Sequence, residues 1–298
     1  GEDVSRLQMQ LAENEVEQHT TQYYWQVAAM QEKMNTLDAA DSLLADIYKD
    51  VEVAVRAGVA LRNDLLQVQL RQNDLKSQRL KLTNGIFIVK QLLAQYCGLK
   101  EGKAFSVKGE EREEMMVKAE ESSLTCLPEY QLLQQQVKAA SLQRKMEIGK
   151  NMPTVAVGAG YNYHNLLDND RTFAMVFATV SVPISQWWGG SHAIKRQTIA
   201  YQKAVDEQQD KSELLLIRMK KAANDVEEAR QQLLLAEQGM EQAQENLRLN
   251  RDRYRAGTST MSNLLEAQLL YQQTQDKRVD ARSELQQRLL DYRQATAQ

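Results

Sequence analysis

Apolar residues recur at alternating steps of three and four through much of the second half of the chain. The series runs through Met219, Ala222, Val226, Ala229, Leu233, Ala236, Met240, Ala243, Leu247, Asn250 and Tyr254. A period of 3.5 residues keeps one stripe of a helix facing a partner helix, as in the seam of a coiled coil. The pattern therefore predicts a long helix that packs along another helix.

An earlier stretch has the same register, so the chain contains an internal repeat. Its positions are Val27, Met30, Met34, Leu37, Asp41, Leu44, Tyr48, Val51 and Val55. Each seam leads into Arg-Ala-Gly, and RAGVALRNDLLQVQL at residues 56–70 corresponds to RAGTSTMSNLLEAQL at residues 255–269. A duplicated pattern predicts a duplicated architecture. Each copy reads as a long helix, a tight turn at glycine and a helix that runs back.

The repeat divides the chain into predicted regions. Residues 1–98 form a first helical hairpin with its tip at 56–64, and residues 189–298 form a second with its tip at 254–263. Between them lie a loop region with a short helix at 99–127 and a helix at 128–152 that begins at a proline. In the first tip, Asn63 or Asp64 is predicted to cap the returning helix, since these side chains accept hydrogen bonds from backbone amides.

The pattern changes to strict alternation at residues 153–184, which predicts a β-hairpin. The predicted strands lie on either side of a polar loop at residues 164–171. Strands of about 10–12 residues suit a tilted membrane-spanning strand. Trp187 and Trp188 follow, where an aromatic belt would lie at a membrane interface. A soluble hairpin with one hydrophobic face is the alternative.

Composition excludes several classes of function. The net charge of −3 gives no basic surface for nucleic acid, and the low proline and aromatic content is typical of long helices. No apolar run approaches the roughly 18 residues of a transmembrane helix. No nucleophile with its base, phosphate loop or metal cluster is present, so we predict neither an enzyme nor a cofactor. Cys97 and Cys126 would form one disulfide or remain as buried thiols.

The repeat also predicts a missing partner for the β-hairpin. The counterpart of residues 153–184 in the first copy would precede residue 1, so we expect this chain to be part of a longer protein with four strands. Four strands cannot close a barrel, because the smallest membrane barrels have about eight. Three copies that pool their strands would supply twelve.

The combination of these features resembles the TolC family of outer-membrane efflux channels. The resemblance rests on Tyr-Arg-Ala-Gly-Thr at residues 254–258, on the twin Arg-Ala-Gly at 56–58, and on Ser-Val-Pro-Ile followed by Gly-Gly at 181–190. It implies a mainly α fold of long antiparallel coiled-coil hairpins, with a small β-hairpin that contributes to a trimeric outer-membrane β-barrel. It also implies a homotrimer in outer-membrane lipid with a helical tunnel in the periplasm of a Gram-negative cell envelope.

The resemblance further implies partners at the two helical tips. The family's tips meet a periplasmic adaptor, which in turn meets an inner-membrane pump in efflux or type I secretion. The corresponding residues here are Arg56, Ala57, Gly58, Val59, Arg255, Ala256, Gly257 and Thr258. The glycines can equally be turn residues alone. A soluble coiled-coil scaffold and a periplasmic adaptor are the alternative functions.

The family's closed tip is held by an Asp, a Tyr and an Arg, and the resemblance places a gate here at Asp64 and Tyr254. Ser259 stands at the Arg position, so Arg62 or Arg255 would have to substitute. Glu266 matches one of two acidic rings at the channel entrance. Asp64 as a helix cap and Glu266 as a solvated surface residue are the simpler interpretations.

Overall fold

The computed structural model describes residues 2–99, 107, 121–165, 170–182 and 187–296. In chain order these residues form five α-helices, two strands and one short 3₁₀ helix. The elements are α1 Glu2–Arg56, α2 Arg62–Tyr96, the 3₁₀ helix Glu121–Cys126, α3 Pro128–Lys150, β1 Thr154–Asn165, β2 Asp170–Ser181, α4 Trp187–Arg255 and α5 Met261–Thr296. The predicted fold class is confirmed, with two long helical hairpins and one small antiparallel β-hairpin.

The chain divides into two compact units. One unit contains Gly1–Leu7 and Pro128–Leu214, and the other contains Gln8–Leu127 and Leu215–Gln298. In the second unit α1, α2, α4 and α5 share an apolar core near the two tips, to which the predicted seams contribute Leu37, Leu44, Val51 and Leu247. Its buried residues are Leu37, Ala40, Leu44, Ile47, Val51, Val68, Leu75, Leu247, Met261, Leu264 and Ala267.

A second apolar cluster joins α4 to the other end of α5. Val226 and Tyr292 are both fully buried there, beside Ala222, Leu289 and Ala295. Small and large residues thus alternate along the α4 seam, which lets the two helices pack closely. The seam predicted from Met219 to Tyr254 is therefore the face that α4 buries.

The β-hairpin pairs β1 with β2 in antiparallel register over their full length. His164 faces Arg171 and Asn165 faces Asp170, so regular pairing extends into the segment predicted as a polar loop. That loop was predicted too long, because ladder hydrogen bonds tolerate polar side chains at a hairpin end. Among the described side chains, apolar residues project outward on both strands. They include Val155, Val157, Tyr161, Val176 and Val180.

Several local expectations differ from the structure. Helix α4 begins at Trp187, two residues before the predicted start at residue 189, so the two tryptophans belong to its first turn. Cys97 and Cys126 are free thiols, and both are exposed and not buried. Most of the predicted loop region 99–127 lies outside the described residues, and its described part contains the 3₁₀ helix at residues 121–126.

Candidate functional site

The candidate site is the pair of tight turns that end the two helical hairpins. In the first tip, Gly58 has a φ of 72°, a conformation that only glycine adopts without strain. The Gly58 amide donates to the Val55 carbonyl at 3.1 Å, and the Val59 amide donates to the Ala54 carbonyl at 2.9 Å. These two bonds satisfy the last carbonyls of α1 and form a Schellman motif.

The second tip repeats this backbone geometry. Gly257 has a φ of 69°. Its amide donates to the Tyr254 carbonyl at 3.0 Å, and the Thr258 amide donates to the Arg253 carbonyl at 2.9 Å. The two bonds of the Schellman motif therefore recur at equivalent positions of both tips, whereas the bonds at the start of the returning helix differ: the Asp64 amide donates to the Leu61 carbonyl, and the Leu264 amide donates to the Thr260 carbonyl.

The two tips are joined side by side at one end of the helical unit. The Ser262 hydroxyl of α5 donates to Oε1 of Gln67 on α2 at 3.1 Å. Arg255 at the end of α4 lies 3.7 Å from the Asp50 carboxylate on α1. Tyr254 packs against the shared core below them. The two turns therefore present a common surface to solvent.

All eight residues that the sequence predicts to contact an adaptor lie on that surface. They are Arg56, Ala57, Gly58, Val59, Arg255, Ala256, Gly257 and Thr258, and each is exposed. No intramolecular role needs these side chains to be apolar or basic, apart from the ion pair of Arg255 and a hydrogen bond from Arg56 to Glu52 at 3.0 Å. The turns themselves depend on the two glycines.

The tips differ at the residue that begins the returning helix. Thr260 precedes α5, and its hydroxyl accepts a hydrogen bond from the Asn263 amide at 3.3 Å, as an N-cap does. Leu61 occupies the equivalent position before α2 and makes no side-chain cap. The predicted caps Asn63 and Asp64 are wrong, because α2 begins at Arg62 and places both residues inside its first turn.

Adding a cap at Leu61 and removing the cap at Thr260 are expected to change the free energy of unfolding in opposite directions. Leu61→Thr would supply the missing acceptor and raise the free energy of unfolding by about 1 kcal/mol, and Thr260→Ala would lower it by about the same amount. Chemical denaturation followed by circular dichroism measures both. Thr260→Ser keeps the hydroxyl and serves as the control, and an equal loss in Thr260→Ser would contradict the cap.

The structure brings the two predicted gate residues close together. Burial raises the pKa of the Tyr254 hydroxyl above its usual range, and the negative charge of Asp64 raises it further. The Tyr254 hydroxyl and the Asp64 carboxylate therefore interact electrostatically. Ser259, at the position of the family's Arg, accepts a hydrogen bond from the Asn263 side chain at 3.3 Å. The candidate substitute Arg255 instead pairs with Asp50.

Glu266 lies on an exposed face of α5, near the tip. Asn263 lies three residues closer to the glycine turn, and its backbone amide and side chain hydrogen-bond to Thr260 and Ser259 within the tip. Glu266 is thus available for an electrostatic role at this end of the unit.

A buried polar network behind the tips was not predicted. Arg71 on α2 donates to Oε1 of Gln268 at 3.1 Å and to Oε1 of Gln272 at 2.8 Å. Gln272 in turn donates to Gln78 at 2.9 Å. Gln268 and Gln272 are only 1% and 3% exposed, so this network ties the returning helices of the two hairpins together.

Neither a metal site nor a membrane-spanning helix is found in the described part of the chain. Within that part, no group of three or more histidine, cysteine or acidic side chains is arranged to hold a metal ion. The described helices also contain no apolar stretch long enough to cross a lipid bilayer.

Comparison with known proteins points to one family. Residues 127–298 match the family model described as outer membrane efflux protein. No curated protein sequence matches the chain. Among solved structures, the outer membrane protein VceC from Vibrio cholerae is similar, with a TM-score of 0.83 and 16% identity over 99% of this chain and 72% of VceC.

Two further solved structures share the fold. The CmeC outer membrane channel of Campylobacter jejuni has a TM-score of 0.81 and 14% identity over 99% of this chain and 65% of that one. The MtrE outer membrane channel of Neisseria gonorrhoeae, solved in its open state, has a TM-score of 0.80 and 13% identity over 98% of this chain and 68% of that one. The chain thus spans about two thirds of the length of these channels.

Proposed function

The chain belongs to the outer membrane efflux protein family, and from that premise we propose that it forms the channel of a tripartite efflux or type I secretion assembly. The observation that carries this proposal is the duplicated hairpin, each copy of which ends in the same glycine turn. The family match favours a channel over a coiled-coil scaffold or an adaptor. In this role the protein is a passive conduit and catalyses no reaction.

The helix lengths suit a conduit through the periplasm. Helix α4 has 69 residues, which at 1.5 Å per residue corresponds to roughly 100 Å. A compact domain does not require a helix of this length. The wall of a long tunnel does, because neighbouring helices must pack along the same seam over the whole length of the tunnel.

We propose that the full-length protein is a homotrimer in the outer membrane. The apolar side chains that project from β1 and β2 would then meet outer-membrane lipid or neighbouring strands. One two-stranded hairpin cannot bury such a surface by itself. Strands pooled from three copies would supply the remaining pairing partners.

We also propose that the tips dock onto a periplasmic adaptor, which connects them to an inner-membrane pump. Their exposed glycine turns let another turn approach the backbone closely. Asp64 and Tyr254 would hold the tips closed at rest. Glu266, repeated by threefold symmetry, would form a ring of carboxylates that favours cations at the entrance.

Single-channel recording of the full-length protein in a planar bilayer tests this function. We expect a small, steady, cation-selective conductance. Glu266→Gln should reduce the cation preference because it removes three entrance charges from the trimer. Glu241→Gln is the control: it neutralises an exposed acid on α4, away from the tip, and should leave the cation preference unchanged. No conductance from a folded trimer would refute the channel, and an equal shift in both variants would refute the ring.

A further inference from the structure

The two tips share one backbone but carry opposite surface chemistry. After the glycine, the first tip continues with Val59, Ala60 and Leu61, and the second with Thr258, Ser259 and Thr260. Val59 is 80% exposed and Leu61 is 70% exposed. The second tip thus shows that this turn also folds with polar side chains at the same positions.

Leu61 stands where the local rules of helix formation favour another residue. Its counterpart Thr260 caps α5, whereas Leu61 makes no cap and leaves its side chain in solvent. A residue that breaks a local rule without structural gain marks a functional position more often than a structural one. Leu61 and Val59 together would gain most by burial against a partner.

The charge of the tip surface narrows the chemistry of that partner. Residues 56–63 and 253–260 contain four arginines and no carboxylate. Two of them pair within the chain, Arg56 with Glu52 and Arg255 with Asp50. Arg62 and Arg253 are exposed and are therefore the tip charges that a partner would meet. A complementary surface therefore combines an apolar recess with surrounding carboxylates.

We propose that the first tip is the anchor of the docking contact. This inference rests on the proposed function and adds which tip binds and what it binds. Val59 and Leu61 insert into an apolar recess on the facing end of the adaptor, and carboxylates around that recess pair with Arg62 and Arg253. The hydroxyl-bearing second tip makes only polar contacts at the rim of the interface, where water competes.

The test measures binding of the full-length channel in nanodiscs to each periplasmic adaptor of the source organism, by surface plasmon resonance. The variant V59T/L61T gives the first tip the side chains of the second. We expect the Kd for the adaptor that binds the wild type to rise by at least about tenfold, mainly through faster dissociation. The control T258S/T260S keeps both hydroxyls of the second tip and should change the Kd by less than about threefold.

Two features keep the result interpretable. Leu61→Thr adds an N-cap, so weaker binding by V59T/L61T cannot be attributed to an unfolded tip, and a melting curve verifies this. Arg62→Gln should slow association and weaken its dependence on salt, because it removes one steering charge.

Each alternative outcome contradicts a different part of the proposal. If no adaptor binds the wild type, adaptor docking itself fails and the anchor fails with it. If an adaptor binds but V59T/L61T and T258S/T260S weaken it equally, docking stands and the anchor is refuted. Flotation of the channel with phosphatidylglycerol vesicles that depends on Val59 and Leu61 would assign the first tip to a lipid surface instead.

Discussion

Replacing Arg71 by methionine is expected to lower the free energy of unfolding by about 3 kcal/mol, because it leaves two buried acceptors without donors. The Arg71 guanidinium donates to Gln268 at 3.1 Å and to Gln272 at 2.8 Å, and both glutamines are almost fully buried. Each unsatisfied buried acceptor costs about 1–3 kcal/mol. Burial lowers the pKa of Arg71 below its usual range, but an arginine side chain remains charged at neutral pH.

Urea denaturation followed by circular dichroism measures this loss, with Arg79→Met as the matched control. Arg79 also lies on α2, but it is 43% exposed and pairs with Asp38 on the surface, so its removal should cost less than about 1 kcal/mol. The triple variant R71M/Q268L/Q272L removes donor and acceptors together and should recover part of the stability lost in R71M. An equal loss in R71M and R79M would show that the network is no stronger than a surface pair.

The hairpins were predictable because their signals are local and periodic. Val226, Ala243 and Leu247 are buried at the positions that the alternating steps require. Gly58 and Gly257 adopt positive φ at the positions where the repeat places a turn. The buried face of a helix and the glycine that ends it can both be predicted without knowing which helix is the partner, because each depends on the sequence of one segment only.

The site details depend on contacts between distant segments, and there the sequence was less informative. Gln268 and Gln272 resemble surface residues until α5 packs against α2 and Arg71. One signal was present: Gln69 occupies the position in the first copy that Gln268 occupies in the second, and Gln69 donates to the Tyr48 hydroxyl at 3.3 Å. A glutamine retained at the same position of both copies, beside apolar neighbours, indicates a buried polar contact.

The prediction of a helix cap in the first tip failed for a related reason. Asn63 and Asp64 are strong capping residues, so propensity alone places the helix start near them. The turn geometry instead starts α2 at Arg62, directly after Leu61. In the second tip Thr260, a capping residue, stands at the position equivalent to Leu61 and indicates that the returning helix begins directly after it. Comparing the two copies residue by residue is therefore more informative than the capping preferences of either copy.

Tyr254→Phe and Asp64→Asn are each expected to raise the open probability of the full-length channel about tenfold. Burial raises the pKa of the Tyr254 hydroxyl, and the nearby charge of Asp64 raises it further. A loss of about 1.4 kcal/mol of interaction between the two groups corresponds to a factor of ten in the equilibrium between closed and open tips. Loss of either group removes their attraction at the proposed closed tips.

The pH dependence of the same recordings distinguishes this gate from a general loosening of the helices. Because the pKa of Tyr254 is raised on folding, its contribution is complete below the ordinary tyrosine value of about 10 and is lost as the pH rises through the raised value. A phenolate would then repel Asp64, so the wild type should open at alkaline pH and Tyr254→Phe should not respond. Tyr271→Phe, which changes a half-buried tyrosine on α5, is the control and should behave as the wild type does. An alkaline transition that persists in Tyr254→Phe would place the gate elsewhere in the tips.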